Sequence, residues 1–318
     1  MVKNREAEQL AQKYGYREFM VERYLGLFGA ETEQFLKGND VAIPKTIRVN
    51  TLAASPQDVA SRLQAKGMNL ESVSGLPYAF HVLDSPVPVG ATTEYLLGYY
   101  MLQSPASMWA IEVLDPQPGQ LVIDMCAAPG GKTTLIAQLM ENQGALLATD
   151  ISRDRIRSLR SNLSRLRVEN TLAIRMDAAR LSGIGIQADA VLLDAPCTGE
   201  GLIPVDPSRK QSRNADDITI LAKVQQKLIL AASQLLRVGG VLVYSTCSFA
   251  PEENEEIIDF ALRQCPVRIV DTELPFGDSG LIEAFGHQFD NSLHRTRRFY
   301  PYKHHMEGFF ICKMVKFA

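Results

Sequence analysis

The chain is short of several things, and each shortage narrows what it can be. Its 318 residues include only five cysteines and no C-x-x-C pair, so neither a disulfide framework nor a structural zinc site is expected. Thiols without such a pattern suit a reducing, cytoplasmic compartment. No apolar run approaches the roughly 20 residues that cross a bilayer. The charged start Met1-Val2-Lys3-Asn4-Arg5-Glu6 leads into no apolar segment, so no membrane partner and no secretory signal are expected. Positive charge is not in excess: 33 Lys and Arg face 36 Asp and Glu, for a net charge of -3. A globally basic nucleic-acid binder is thereby excluded, and only a local basic stripe remains open. Internal repeats and low-complexity tracts are absent. What is present is a 46% share of hydrophobic residues, enough for a sizeable core. The length allows about two domains.

Residues 6–37 read as helical, with Leu10, Tyr14, Phe19, Met20, Tyr24, Leu27 and Phe28 at three- and four-residue spacings. Thr46–Asn50 and Ala79–Leu83 read as strands. Between them Ser55-Pro56 opens a helix that ends near Gly67. A small N-terminal helical and α+β domain over 1–90 follows, resembling half of an RNA-recognition module. Pro86, Pro88 and Gly90 mark a connection, and Tyr95–Leu114 reads as a mostly helical bridge within a segment over 91–118. From 119 to 318 the pattern alternates. Strands are expected at 121–125, 145–149, 171–176, 190–194, 240–245, 267–271 and 309–315, with helices at 132–142, 152–167, 217–237 and 252–264. This is the pattern of a doubly wound parallel α/β sheet. The last strand follows a long irregular stretch and is expected to be antiparallel.

The first alternating unit ends in Asp124-Met125-Cys126-Ala127-Ala128-Pro129-Gly130-Gly131-Lys132-Thr133, a strand, a tight Gly-Gly turn and a helix start. A phosphate-binding Walker A loop needs glycine where Cys126 stands, and no G-x-G-x-x-G dinucleotide fingerprint is present. An adenosyl ligand without phosphate needs only a shaped turn and a ribose acceptor. Asp150, about twenty residues beyond the turn, is that acceptor. Asp124, Asp150, Asp177 and Asp194 close successive strands and are expected in register along one edge. Lys132 reads either as a neighbour that lowers a thiol pKa or as a solvated lysine.

Two thiols close apolar runs: Cys197 in Asp194-Ala195-Pro196-Cys197, and Cys247 in Ser245-Thr246-Cys247-Ser248. Ligands of open parallel sheets sit at strand carboxyl ends, so these thiols and Asp194 are expected in one cleft. A thiolate is the natural nucleophile toward an electron-poor ring. Spacing does not say which thiol attacks. Cys126, Cys265 and Cys312 read as packing residues.

In combination these strings resemble the NOL1/NOP2/Sun family of RNA cytosine-5 methyltransferases. The match runs through Asp124–Thr133, Asp194-Ala195-Pro196-Cys197-Thr198-Gly199-Glu200-Gly201 and Tyr244–Ser248. Ile47–Leu52, Gln103–Met108 and Gly308-Phe309-Phe310 are similar to the family's remaining segments, and the compact length is similar to its archaeal tRNA members. The resemblance implies a class I, Rossmann-like methyltransferase domain and S-adenosylmethionine as cofactor. By the same carry-over, Cys126, Ala127, Ala128, Pro129, Gly130, Gly131 and Lys132 form the donor turn. Asp150 holds the ribose, Asp177 lies by the adenine, Asp194 stands between donor and base, and Arg155 contacts the donor. It also implies Cys247 as nucleophile and Cys197 as the helper in release or the proton-transfer partner. The expected partner is RNA, tRNA favoured and rRNA possible, with no metal and a monomeric state. Rival readings are a non-catalytic RNA-binding scaffold and a DNA methyltransferase. Two basic clusters are candidates for RNA contact: the helix holding Arg153, Arg155, Arg157, Arg160, Arg165 and Arg167, and the segment Arg295–His305, whose Phe299, Tyr300 and Tyr302 suit base stacking.

Overall fold

A computed structural model describes residues 5–318, which divide into two compact units interleaved along the chain. One unit is Pro44–Asp194 with Ala231–Val243 and Val315–Ala318; the other gathers residues up to Ile43 with Ala195–Leu230 and Tyr244–Met314. These units cut across the sequential division 1–90, 91–118 and 119–318, because packing rather than chain order decides them.

The first of these units opens with a four-stranded antiparallel sheet: β1 (Lys45–Val49), β2 (Asn69–Ser72), β3 (Ala79–Asp84) and β4 (Tyr100–Leu102), in the order β2-β3-β1-β4. The helical bridge expected over Tyr95–Leu114 is interrupted by β4. Val49 pairs with Tyr100, which is fully buried, and this tertiary pairing overrides local helical preference. Helix resumes at Pro105, where the Ser104 hydroxyl accepts from the Ser107 N–H.

The same unit continues with β5 (Leu121–Asp124), β6 (Ala145–Asp150), β7 (Thr171–Arg175), β8 (Ala188–Asp194) and the first part of β9 (Leu236–Thr246), in the order β9-β8-β5-β6-β7. The pairs β8-β5, β5-β6 and β6-β7 are parallel. The chain builds outward from β5 to β7, then returns to β8 on the other side of β5. The carboxyl ends of β5 and β8 therefore flank the reversal point, the usual ligand position in open α/β sheets.

In the other unit, Tyr244–Thr246 of β9 is followed by β10 (Val267–Val270), β11 (Asp278–Ser279), the hairpin β12 (Glu283–Ala284) and β13 (His287–Gln288), β14 (Arg297–Phe299) and β15 (Phe309–Lys316). The order is β9-β15-β14-β11, with β10 also on β15. The last strand is antiparallel to β14, Arg297 facing Ile311 and Phe299 facing Phe309. The helices Arg5–Tyr14, Glu18–Phe28 and Thr32–Gly38 bring Met20, Tyr24, Phe35 and Leu36 into one apolar cluster with Ile203, Phe249 and Tyr300. Ring centroids of Phe35 and Phe249 lie 5.0 Å apart, edge to face.

That cluster corrects the base-stacking expectation for Arg295–His305. Phe299 and Tyr300 are 0% and 5% exposed, so the core has taken the rings. Arg298 is buried as well, its Nε donating to Glu255 Oε1 at 2.6 Å and its Nη2 to Glu255 Oε2. Removing one partner of a buried ion pair leaves the other charge uncompensated, at about 3–5 kcal/mol. Arg298→Met is therefore expected to lower the thermal midpoint sharply in calorimetry. The double change Arg298→Met with Glu255→Leu should recover much of the loss; a single variant as stable as the parent would contradict this.

Candidate active site

The glycine turn lies between β5 and the helix Gly131–Leu139. The Met125 N–H donates to Leu192 O at 3.0 Å and the Ala127 N–H to Thr149 O at 2.8 Å, seating the turn across the ends of β6 and β8. Gly130 has φ +106°, and a Cβ there would lie 2.9 Å from Leu159 Cδ1, so both conformation and space require glycine. Asp150 braces the turn from β6: Oδ2 accepts the Ala128 N–H at 3.3 Å and Oδ1 the Ser152 N–H at 2.8 Å. Arg155 donates to the Ala128 carbonyl and lies 3.5 Å from Asp150. A carboxylate has about four lone-pair sites, so Asp150 keeps acceptor capacity beyond these two bonds. Asp177 lines a cavity of about 460 Å³ with Ile151, Arg175, Met176 and Arg180. A carboxylate with spare acceptors beside an open cavity lined by apolar (Ile151, Met176), acidic (Asp177) and basic (Arg175, Arg180) side chains fits a ribose and an adenine ring.

The row of acids is present but not level. In the parallel register Asp124 faces Ala148 and Leu192, so Asp150 and Asp194 project two residues further. Asp124 is recessed and 1% exposed; burial pushes its carboxyl up to about 7, against the Thr133 hydroxyl that donates to it at 2.7 Å. Asp194 meets Lys132, whose Nζ donates to Oδ2 at 2.8 Å. Lys132 is thus not a solvated lysine but a partly buried cation beside this carboxylate. Arg48, fully buried on β1, donates through Nη1 to the Gly131 carbonyl at 2.9 Å and through Nη2 to Thr134 Oγ1 at 2.8 Å. It ties the small sheet to the helix after the turn, a role that its place in Ile47-Arg48-Val49-Asn50 did not reveal.

The thiols belong to the other unit, each just past a point where the chain leaves the first: Asp194 to Ala195, and Val243 to Tyr244. Cys197 Sγ and Cys247 Sγ lie 3.2 Å apart, both half-buried. Hydrogen bonding to Cys247, then burial, holds the Cys197 thiol well above its ordinary range. The two segments are stitched by the Ala195 N–H to Ser245 O and the Gly201 N–H to Cys247 O, both at 2.8 Å. A Cβ at Gly201 would lie 2.0 Å from the Gly308 carbonyl. That close approach explains Gly201 and Gly308. Cys126 and Cys312 are pushed up by burial and by nearby carboxylates, as packing thiols are.

Sequence reasoning missed two buried glutamates beside the thiols. Glu253 accepts from Thr198 and Ser248, the residues following Cys197 and Cys247. Its position in Pro251-Glu252-Glu253-Asn254 reads only as a helix start. Glu200 accepts from the Tyr24 hydroxyl at 3.1 Å, and burial followed by Glu253 pushes its carboxyl up to about 7. An acid with a raised folded pKa binds its proton more tightly in the native state, so stability falls as pH rises from about 4.3, the unfolded value, toward 7. Glu200→Gln cannot ionise. Its thermal midpoint is expected to match the parent near pH 4 and exceed it at pH 8, by the equivalent of roughly 3–4 kcal/mol. Parallel midpoints across that range would contradict the shift.

The arginine-rich helix is only partly available to a ligand. Arg155, Arg160 and Arg165 donate to carbonyls of Ala128, Ala173 and Tyr95, and Arg157 lies 3.5 Å from Asp154, although Arg153, Arg155, Arg157 and Arg160 are all exposed. Among the described residues no group of three His, Cys, Asp or Glu side chains is arranged to hold a metal, and no helix is long and apolar enough to cross a membrane.

Residues 111–315 match the family profile described as 16S rRNA methyltransferase RsmB/F, well over half of the chain. The chain belongs to this family. Residues 16–90 of this RsmB/F member match the associated ferredoxin-like domain. It is 44% identical to a mouse 28S rRNA (cytosine-C(5))-methyltransferase over 98% of this chain and 40% of that protein. It is 36% identical to a Pyrococcus abyssi tRNA (cytosine(49)-C(5))-methyltransferase over 93% of this chain and 95% of that one. The crystal structure of NSun6 from Pyrococcus horikoshii with SFG superimposes with a TM-score of 0.84 at 29% identity, covering 94% of this chain and 97% of that one. The RsmB/F member spans 40–52% of the length of the rRNA relatives from mouse, human, Caenorhabditis elegans and Schizosaccharomyces pombe. The resemblance to NOL1/NOP2/Sun enzymes is thereby shown, as are the class I fold, the final antiparallel strand and the N-terminal ferredoxin-like domain.

Proposed function

We propose that this protein methylates carbon 5 of a cytosine in RNA, tRNA foremost, through a transient bond between Cys247 and the base. The observation that carries the reading is the pair of thiols, in their two motifs, with sulfurs 3.2 Å apart. S-adenosylmethionine is the proposed cofactor and supplies the methyl group as a sulfonium. The turn Cys126–Lys132 would hold it together with Asp150 on the ribose, Asp177 at the adenine and Arg155 acting through the turn. A relative crystallised with SFG, an analogue of S-adenosylmethionine, supports this choice.

The chemistry of the chain's own residues follows from carbon 5 being a poor nucleophile. The Cys247 thiolate adds to carbon 6, and the ring's electrons shift toward carbon 5, which gains the methyl group. Asp194 orients the base by accepting from its exocyclic amine, and the Lys132 ammonium beside it offsets the negative charge that develops on the ring. A solvent base takes the carbon 5 proton, and the electron pair of that carbon–hydrogen bond restores the ring double bond and expels the Cys247 thiolate. The Cys197 S–H, bonded to that sulfur, stabilises it as it leaves. This splits one hard step into two easier ones.

On this reading residues 1–90 recognise RNA, 91–118 connect, and 119–318 carry the reaction in a monomer. Two working thiols require a reducing compartment, so the cytoplasm is proposed as the location. The tRNA substrate is favoured by a tRNA-modifying relative matched over nearly its whole length. An rRNA substrate is the second reading, favoured by the 44% identity to an rRNA relative. The test is calorimetric binding of S-adenosylmethionine followed by tritium transfer to tRNA, rRNA and DNA. Transfer to RNA alone is expected. Binding without transfer to any RNA would make the protein a scaffold, and transfer to DNA would make it a DNA methyltransferase.

A further inference from the structure

The mechanism uses two thiols but does not explain what holds them together. Cys197 and Cys247 are 50 residues apart in sequence and lie on loops, which do not by themselves fix a side chain within a few tenths of an ångström. The segment after Cys247 contains a fully buried carboxylate, Glu253. Its Oε1 accepts the Thr198 N–H at 2.9 Å and its Oε2 the Thr198 hydroxyl at 2.5 Å. The same Oε2 accepts the Ser248 hydroxyl. Thr198 follows Cys197 and Ser248 follows Cys247, so one side chain grips the residue after each thiol.

The residues before the thiols are held by the same neighbourhood. Gln225 donates to Glu253 Oε1 at 3.1 Å and to the Pro196 carbonyl at 2.8 Å. Asn254 accepts the Thr246 hydroxyl at 2.6 Å and donates to the Ser248 carbonyl at 2.9 Å. Each cysteine is thus bracketed on both sides, and every bracket runs to Glu253 or to a residue bonded or adjacent to it. Glu253 carries no cationic partner among these contacts. A buried carboxylate is costly unless its acceptors are filled. Filling them is what fixes Thr198 and Ser248.

We propose that Glu253 is the shared positioning residue of the two thiols, setting the distance between Cys197 and Cys247 on which both bond formation and release depend. Its catalytic consequence rests on the reading of Cys247 and Cys197 given above; its geometric consequence does not. The geometric readout is oxidation of the pair by diamide. The two thiols lose two protons and two electrons, a sulfur–sulfur bond forms, and the diamide N=N bond is reduced to a hydrazine. In the full-length parent the pair should close rapidly, because the sulfurs already touch.

Glu253→Ala should slow that closure at least tenfold and methyl transfer to RNA about a hundredfold, with the Kd for S-adenosylmethionine changed less than twofold. Glu253→Gln retains one acceptor oxygen and two N–H donors for the hydroxyls, and should recover most of both rates. If Glu253→Ala does not fold, Thr198→Val and Ser248→Ala each cut one arm, and each should slow closure about fivefold. Unchanged closure rates in Glu253→Ala, or in both single-arm variants, overturn the proposal whatever the enzyme's chemistry. Slowed closure in variants of a protein whose Cys247→Ala form still methylates normally would leave the positioning intact and sink the catalytic reading instead.

Discussion

Alanine in place of Cys247 is expected to cut methyl transfer by on the order of 10⁴-fold or more, and alanine in place of Cys197 is expected to trap the enzyme on its RNA. The two outcomes differ because on the proposed mechanism Cys247 makes the carbon–sulfur bond and Cys197 helps to break it. Without Cys247 nothing adds to carbon 6, and carbon 5 keeps too little electron density to take a methyl group. Without Cys197 the addition and the transfer proceed once. The departing Cys247 sulfur then lacks the S–H that lies 3.2 Å away in the parent. The thiolate becomes a poorer leaving group and the carbon–sulfur bond persists. Denaturing electrophoresis with labelled RNA separates the cases: a slow band that survives SDS in Cys197→Ala, and none in Cys247→Ala. The assignment rests on the two motifs, Cys247 in Ser245-Thr246-Cys247-Ser248 and Cys197 in Asp194-Ala195-Pro196-Cys197. A stable band seen only with Cys247→Ala would reverse the two roles.

Asp194→Asn is expected to lower kcat by roughly 10²–10⁴-fold, and to do so before the covalent bond forms. Asparagine preserves the shape of the side chain but not its charge, and so abolishes the ion pair with Lys132, made at 2.8 Å between partly buried groups. On the proposed mechanism this carboxylate acts on the ring while charge develops there. The variant should then accumulate no SDS-resistant adduct, even when combined with Cys197→Ala. Lys132→Met should have a smaller effect in the same direction. Adding it to Asp194→Asn should cost little more, because residues that act as one unit do not contribute additively. Fully additive losses would mean that the pair is incidental.

How far these residues could be read before the fold was known depended on what kind of signal each carried. The strands of the parallel sheet were legible because they are short apolar runs, and their ends were legible because Asp124, Asp150 and Asp194 stop them. Register was not, since it depends on pairing between segments distant in the chain. The recession of Asp124 by two residues, and with it its raised carboxyl, appears only when β5 is laid against β6 and β8. β4 was hidden for the same reason: Tyr100–Leu102 is a strand only because β1 lies beside it. The basic and aromatic run Arg295–His305 looked like a surface for RNA because composition does not say which side faces inward. Arg298 has Glu255 as its partner, and Phe299 and Tyr300 are core. Glu253 was the least visible, since a glutamate among other acids at a helix start has a sufficient local explanation. Only the buried contacts with Thr198 and Ser248 give it another.

The central claim is that the Cys247 sulfur bonds to a cytosine during methyl transfer, and the most direct measurement is the identity of that bond. RNA carrying 5-fluorocytosine at the methylated position has no carbon 5 proton to lose, so the enzyme stalls after transfer with the carbon–sulfur bond intact. Proteolysis and mass spectrometry of the trapped complex should yield a peptide containing Cys247 joined to a nucleotide that has gained one methyl group. A nucleotide joined to Cys197, or no joined peptide from an enzyme that methylates the same RNA without fluorine, would contradict the account.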